Sequence, residues 1–325
     1  MKLIIASNTH SLLPLAWRLH KENHEISVVV MRDRFERCWE GLLDKELVGK
    51  QKARDGWADL IAEAEAGTPV LTDSSRALEI FNGAPRVYGM LKGSEGSSSP
   101  LILGAWYDEG EFVLPHLLVL DWGLWPGNLG PWVPGGAVLI NPAPAQLMGA
   151  LESKREQLTG HRGLVAVGLQ WDPTTNQYEG VGLTGGWTFL HTHLFVSDLV
   201  DLGNLLAGAG AGLVRRYVCG VPVTVPPFPI SCNVSSDSVP VRGLEQDDLK
   251  TVFFHDMKTQ DREVWVGGTD GLLAVVRGSA NHLGLARQRA LNVAARMVVP
   301  QKQFRVDVGG SVEMVMAMLE EQGIS

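Results

Sequence analysis

The chain is poor in cysteine, in long apolar runs and in clustered positive charge, and each shortage removes a class of function. Only three cysteines occur in 325 residues, Cys38, Cys219 and Cys232, widely spaced and odd in number. No Cys-x-x-Cys pair exists, so neither a disulfide framework nor a structural zinc site is expected, and the thiols read as those of a reducing compartment. No apolar stretch reaches the ~18 residues that a membrane helix needs. The apolar run at residues 1–6 is too short for a signal peptide. Formal net charge is -8, the pI is about 5.6, and no Lys/Arg-rich run is visible. Nucleic-acid binders draw affinity from neutralising phosphates. The expectation is therefore a cytoplasmic protein with no nucleic-acid and no membrane partner; a homodimer stays open. Walker loops and Gly-x-Ser-x-Gly elbows are absent too.

Hydrophobic residues, by contrast, make up 45% of the chain, enough for a sizeable core and two or three domains. Residues 2–6 are β-branched and apolar. The polar segment Ser7-Asn8-Thr9-His10-Ser11 follows, rich in helix-capping types. Residues 12–21 read as a helix with Leu12, Leu15, Ala16 and Leu19 on one face, and residues 26–31 as a second buried strand. A further helix over 57–66, with Trp57, Leu60, Ile61 and Ala64 in register, completes a small doubly wound domain over residues 1–85. Residues 86–100 form a linker by their Gly/Ser content. Beyond it the texture becomes α+β. Hairpins are expected around residues 108–111 and 172–176, a helix over 197–207 and a Pro-rich loop over 221–229. Strands are expected at 252–255, 263–266 and 272–276, and a helix over 283–297. Residues 101–230 and 231–325 thus read as a core and a small β-rich C-terminal domain.

Four blocks, in order, carry a family resemblance. They are residues 1–30; Gly127-Asn128-Leu129-Gly130-Pro131-Trp132-Val133-Pro134-Gly135-Gly136 with the hairpin before it; residues 164–186 with Ser197-Asp198-Leu199-Val200-Asp201-Leu202; and the stretch from Val252-Phe253-Phe254-His255 to Phe304-Arg305-Val306-Asp307-Val308-Gly309. Together the chain resembles phosphoribosylamine–glycine ligase, a member of the ATP-grasp superfamily that serves purine biosynthesis. The resemblance implies a pre-ATP-grasp-like N-terminal domain, a truncated ATP-grasp-like core and a C-terminal domain of the ligase type. It implies ATP and Mg²⁺ as cofactors if the chain is active, and an amine joined to a carboxylate such as glycine through an acyl phosphate. The implied ligand is small: an amino acid, a phosphorylated ribose or a nucleotide-like molecule. Matching positions for substrate contact are Asn128, Gly130, Pro131, Gly135, His255, Arg305 and Asp307, with Lys92 standing in for a nucleotide-gripping lysine.

The chain departs from that pattern where the chemistry is most demanding. The ATP-covering lid is missing, with only residues 82–100 in its place. Where the family carries Glu-Phe-Asn-x-Arg-Phe-Gly, this chain reads Gly180-Val181-Gly182-Leu183-Thr184-Gly185-Gly186, which offers magnesium no carboxylate or amide oxygen. The loop's Asn-Thr-Gly has become Trp132-Val133-Pro134. Ser7 to Ser11 lacks the glycines of a phosphate loop, so anion holding and simple capping both remain readings. Arg305 and Asp307, two apart on a strand-like run, share a face and either touch a phosphate or pair with each other. His191-Thr192-His193 has the look of a metal pair, but no third ligand is placed by sequence, and no metal site is expected. Two functions stay open: a compact ligase, and a non-catalytic descendant that binds a small molecule or a protein.

Overall fold

A computed structural model describes residues 1–7, 11–30, 48–49, 57–91, 95, 97–186, 189–208, 211–230, 239–261, 263–268 and 270–324. The N-terminal part runs β1 (Lys2–Ser7), α1 (Leu13–Lys21), β2 (Glu25–Val30), β3 (Val48–Gly49), α2 (Trp57–Glu65), β4 (Val70–Thr72), α3 (Ser75–Ile80) and β5 (Val87–Tyr88). Its sheet has the order β3-β2-β1-β4-β5, and every pairing is parallel. Alternation along β1 explains the two helix layers. Leu3 and Ile5 face the core that holds α1, while Ile4 and Ala6 face the cluster holding α2 and α3. Pro14 sits in the first turn of α1, and Arg18, His20 and Lys21 complement its C-terminal end.

The rest of the chain runs β6 (Leu101–Asp108), β7 (Glu111–Trp122), β8 (Pro134–Ile140), α4 (Met148–Glu152), β9 (Gly163–Asp172), β10 (Gln177–Gly185), α5 (Phe189–Asp198), α6 (Leu202–Leu206) and β11 (Tyr217–Thr224). It continues with β12 (Pro240–Val241), β13 (Val252–Phe254), β14 (Met257–Gln260), β15 (Glu263–Val266), β16 (Leu272–Ala280), α7 (Leu283–Arg296) and α8 (Val312–Glu321). One antiparallel sheet of eight strands has the order β10-β9-β6-β7-β8-β11-β16-β13; β12, β15 and β14 form a separate three-stranded sheet. The large sheet continues through residue 230, because β11 pairs with β8 on one side and β16 on the other. Helix α5 packs on one face: a Cβ on Gly220 would meet Leu194 at 2.6 Å. Helix α7 packs on the other, where Gly278 lies against Ala286 and Ala290. From Leu190 to Asp198 every residue of α5 is buried, as expected of a helix enclosed on all sides.

Three elements differ from the sequence reading. The helix expected over 197–207 is two helices. Leu199 leaves the first to bridge Leu213, and the Asp201 carboxylate caps α6 by accepting from the Asn204 N–H at 3.0 Å. The Pro-rich loop expected over 221–229 begins with strand, since β11 runs to Thr224. Pro222 is tolerated there because β8 pairs with β11 only as far as Gly220, so the missing N–H costs no bond on that side. The strand expected over residues 112–114 is part of the longer β7, which runs past Leu114 and Pro115 to Trp122 across a bulge, where Leu114 and Pro115 oppose the single residue Ala105. Among the described residues no helix is long and apolar enough to cross a membrane.

Candidate functional site

The connection between β7 and β8 carries the glycine-rich segment and is tied to the stretch around residues 305–309. Within the loop, the Gly123 N–H donates to Val133 O, Leu124 to Pro131 O and Trp125 to Leu129 O. Gly130 has φ 83°, and a Cβ there would lie 2.7 Å from the Trp125 ring. A Cβ on Gly135 would come 2.1 Å from Gly123 O. Close approach alone therefore requires both glycines. Asn128 takes the left-handed region too, with φ 60°, and Pro131 accepts from two loop N–H groups. Trp132, 66% exposed, stacks on Trp122 with centroids 5.3 Å apart.

Arg305 is the staple. Its guanidinium donates to Trp122 O at 3.0 Å and Gly123 O at 3.2 Å, and pairs with Asp307 through Nε–Oδ1 at 2.7 Å and Nη2–Oδ2 at 3.2 Å. Asp307 in turn accepts the Gly127 N–H at 2.8 Å. Partial burial works to raise the Asp307 carboxyl, but the Gly127 N–H and Arg305 outweigh it and hold the group below its ordinary value. Next to it, buried Asp121 accepts from the Gly309 N–H at 2.5 Å and the Ser311 hydroxyl at 2.8 Å. Asn128, Gly130, Pro131, Gly135, Arg305 and Asp307 thus form one cluster, in which Arg305 is spent on protein groups. Asp307 stays partly open, its side chain 37% exposed.

His255 stands elsewhere, just beyond β13 and three strands past β8 in the sheet order. Its Nε2 lies 2.8 Å from Nε2 of His193 on α5. A second imidazole pair flanks the same helix, His191 Nε2 to His116 Nε2 at 2.6 Å. His116 Nδ1 lies 2.8 Å from Leu114 O, so that nitrogen donates, Nε2 accepts, and His191 supplies the proton between the rings. Burial pushes His116 down to about 4 and His255 to about 3. His191 and His193 are also pushed well below the ordinary value, by burial and then by their partner rings. The His-Thr-His motif therefore gains partners, but imidazole ones in direct hydrogen bonds. A zinc ion, at about 2.0–2.1 Å from each nitrogen, would hold them further apart. Among the described residues no group of three or more His, Cys, Asp or Glu is placed to hold a metal.

Strand β10 carries the run where the resemblance would place the magnesium ligands. Thr184 carries the only side-chain oxygen in the 180–186 run, and it donates to Ala166 O. A Cβ on Gly180 would meet Ala150 O at 2.6 Å, and one on Gly185 would meet Leu91 Cβ at 2.6 Å. The chain before β6 lies along this strand, with the Leu91 N–H donating to Gly185 O and Glu95 to Leu183 O. Glu179 is exposed. The residues present do not fit a magnesium ion there. Lys92, like Asn8, Thr9 and His10, lies outside the described residues.

No family model and no curated protein matches the sequence. Solved structures do match in shape. Phosphoribosylamine–glycine ligase from Thermotoga maritima aligns with a TM-score of 0.58 at 13% identity, over 95% of this chain and 100% of that one. Urea amidolyase from Kluyveromyces lactis aligns at 0.51 and 10% identity over 99% of this chain, which spans 22% of that protein. Pyruvate carboxylase from Rhizobium etli aligns at 0.51 and 12% identity over 98% of this chain, which spans 39% of that one. At such identities the likeness speaks for architecture alone: a parallel five-stranded sheet joined to a large antiparallel one, in an ATP-grasp-like fold.

Proposed function

We propose that this chain is a non-catalytic ATP-grasp relative that binds a small molecule, an amino acid or a phosphorylated ribose, at the cluster of the 127–136 loop and Asp307. The observation that carries the reading is the state of the two ends of the cleft machinery. The β7–β8 loop is rigid and presents Asp307 with a lowered pKa, whereas the β10 run offers magnesium no free oxygen. Ligand binding needs only the first; phosphoryl transfer from a nucleotide needs both. The fold match along the whole Thermotoga ligase chain favours a second reading, a carboxylate–amine ligase using ATP.

Thermal unfolding in the presence of glycine, ribose 5-phosphate, ADP or ATP with Mg²⁺ separates the readings, because a ligand of the native state raises the midpoint by mass action. The expected result is a rise with glycine or ribose 5-phosphate, lost in Asp307→Asn, and no ADP release. ADP release that depends on an amine and a carboxylate would replace the proposal by the ligase. Silence with every ligand would remove both.

A further inference from the structure

A cleft of about 350 Å³ opens beneath the β6–β7 hairpin, between it and the end of α6. That volume is within the range of small-molecule sites. It lies at the other end of β7 from the Asp307 cluster, about 35 Å along a twelve-residue strand. Its apolar wall depends on the bulge. In a regular strand Val113 and Leu114 would point to opposite faces, yet both line the cleft. Leu114 has φ 55°, the left-handed region that an L-residue enters only at a steric cost. Leu205 and Ala211 complete the wall over the fully buried Trp106, and Val113 is left 40% exposed at the mouth.

The mouth is acidic. Asp108, Glu109 and Glu111 all line it. Asp108 and Glu109 share one cation, Arg162, at 2.5 and 3.2 Å. The Glu111 side chain takes no hydrogen bond or ion pair among the described residues. The nearby Arg155 is held by Glu152 at 2.7 Å and lies 5.0 Å over the Phe112 ring. Three lining carboxylates against one paired guanidinium leave the mouth negative by two charges. An apolar pocket under an unbalanced acidic mouth matches a ligand with an apolar body and a positive head.

We propose that this cleft is a binding site for an organic cation, an ammonium head on an aromatic or branched aliphatic body. The body lies against Val113, Leu114, Leu205 and Ala211, and the head meets Glu111. The site is separate from the Asp307 cluster and does not depend on the reading given above.

The test uses the full chain with phenethylamine and, as the same body with opposite charge, 3-phenylpropionate. Titration calorimetry should show phenethylamine binding and 3-phenylpropionate failing to bind. Glu111→Gln, at an exposed position that leaves the fold intact, should weaken phenethylamine by about fivefold, the upper range for one exposed charge pair. Added salt should weaken it in the unsubstituted chain more than in the variant. Equal binding of the two probes, binding of neither, or an affinity unchanged by Glu111→Gln would each overturn the proposal.

Discussion

Lowering the pH from 7 to 5 should strain the two imidazole pairs that flank α5. His116 is fully buried and its folded pKa is about 4 against an ordinary 6.5. A depressed histidine pKa means that below pH 6.5 the unfolded chain binds the proton and the folded chain does not. Stability from this group is therefore complete above about 6.5 and drains away as pH falls toward 4. At pH 5, about 1.5 units into that window, the loss at about 1.36 kcal/mol per unit is about 2 kcal/mol. This figure is for His116 alone; His191, also pushed well below its ordinary value, adds a loss of the same sign. Other groups complicate the raw profile. Burial, then Asp270, pushes Asp256 up to about 7 from 3.8, so the folded chain holds that proton more tightly and gains stability as pH falls through the same range. A comparison between proteins cancels Asp256. Urea unfolding at pH 7 and pH 5 should show that the double variant His116→Gln/His191→Gln loses at least about 2 kcal/mol less than the parent on acidification, the His116 share alone. If the variant does not fold, ring NMR of the parent reads the same quantity: His116 should stay neutral down to pH 5. An identical pH dependence in parent and variant, or a His116 ring that titrates near 6.5, would refute the burial argument.

Four further outcomes follow from packing and burial. Gly104→Ala would place a Cβ 2.6 Å from His191 Nε2 and 2.7 Å from His116 Nε2, and should cost about 1–3 kcal/mol in urea unfolding; Gly149→Ala, with open space on α4, should instead be neutral or stabilising by up to about 1 kcal/mol. Arg305→Met leaves Trp122 O and Gly123 O without their side-chain donor and Asp307 with only the Gly127 N–H; it should cost about 2–3 kcal/mol, less than a fully buried pair because Asp307 is partly open, and shift the near-UV dichroism of the stacked tryptophans. Burial, then Asp121, pushes the Cys219 thiol up to about 12; in a background with Ser at positions 38 and 232, thiol reagents should label the native chain only at its unfolding rate.

What was legible in the sequence was what is local. The continuous apolar runs of β1 and β2, the Leu12-Leu15-Ala16-Leu19 face and the polar turns at 108–111 and 172–176 each carry their own period or turn chemistry, and the structure has a strand, helix or hairpin at each. Strand β7 is legible only at residues 112–114, because Pro115 interrupts the apolar run; the pairing with Ala105 that turns Leu114 and Pro115 into a bulge is a long-range fact. The helix read across 197–207 failed because Leu199 answers to Leu213, not to its own helix period. The histidine pairs were out of reach for the same reason: their members are 75 and 62 residues apart. Helix α8 carries Ser311 at its N-cap position, Glu313 in its first turn and Gly323 just beyond its end, signals that sequence reading can use, although its apolar face is interrupted by exposed Met314 and Met318.

The glycines of the 127–136 loop show why a resemblance in backbone outlasts one in chemistry. Gly130 is required by the Trp125 ring and Gly135 by the Gly123 carbonyl; neither constraint involves a ligand. Replacing either would break the loop whether or not anything binds there. The retained glycine outline therefore reports the path of the chain, and Arg305, which spends its donors on Trp122, Gly123 and Asp307, reports the same path. Asp307 is different. Its carboxylate is charged, oriented by the Gly127 N–H and partly open to solvent, and Asp307→Asn removes the charge at nearly constant side-chain size. The variant should unfold at a lower midpoint, because the Arg305 pair is weakened; a binding loss measured well below that midpoint, with the near-UV dichroism of the stacked tryptophans unchanged, would separate ligand recognition from loop architecture.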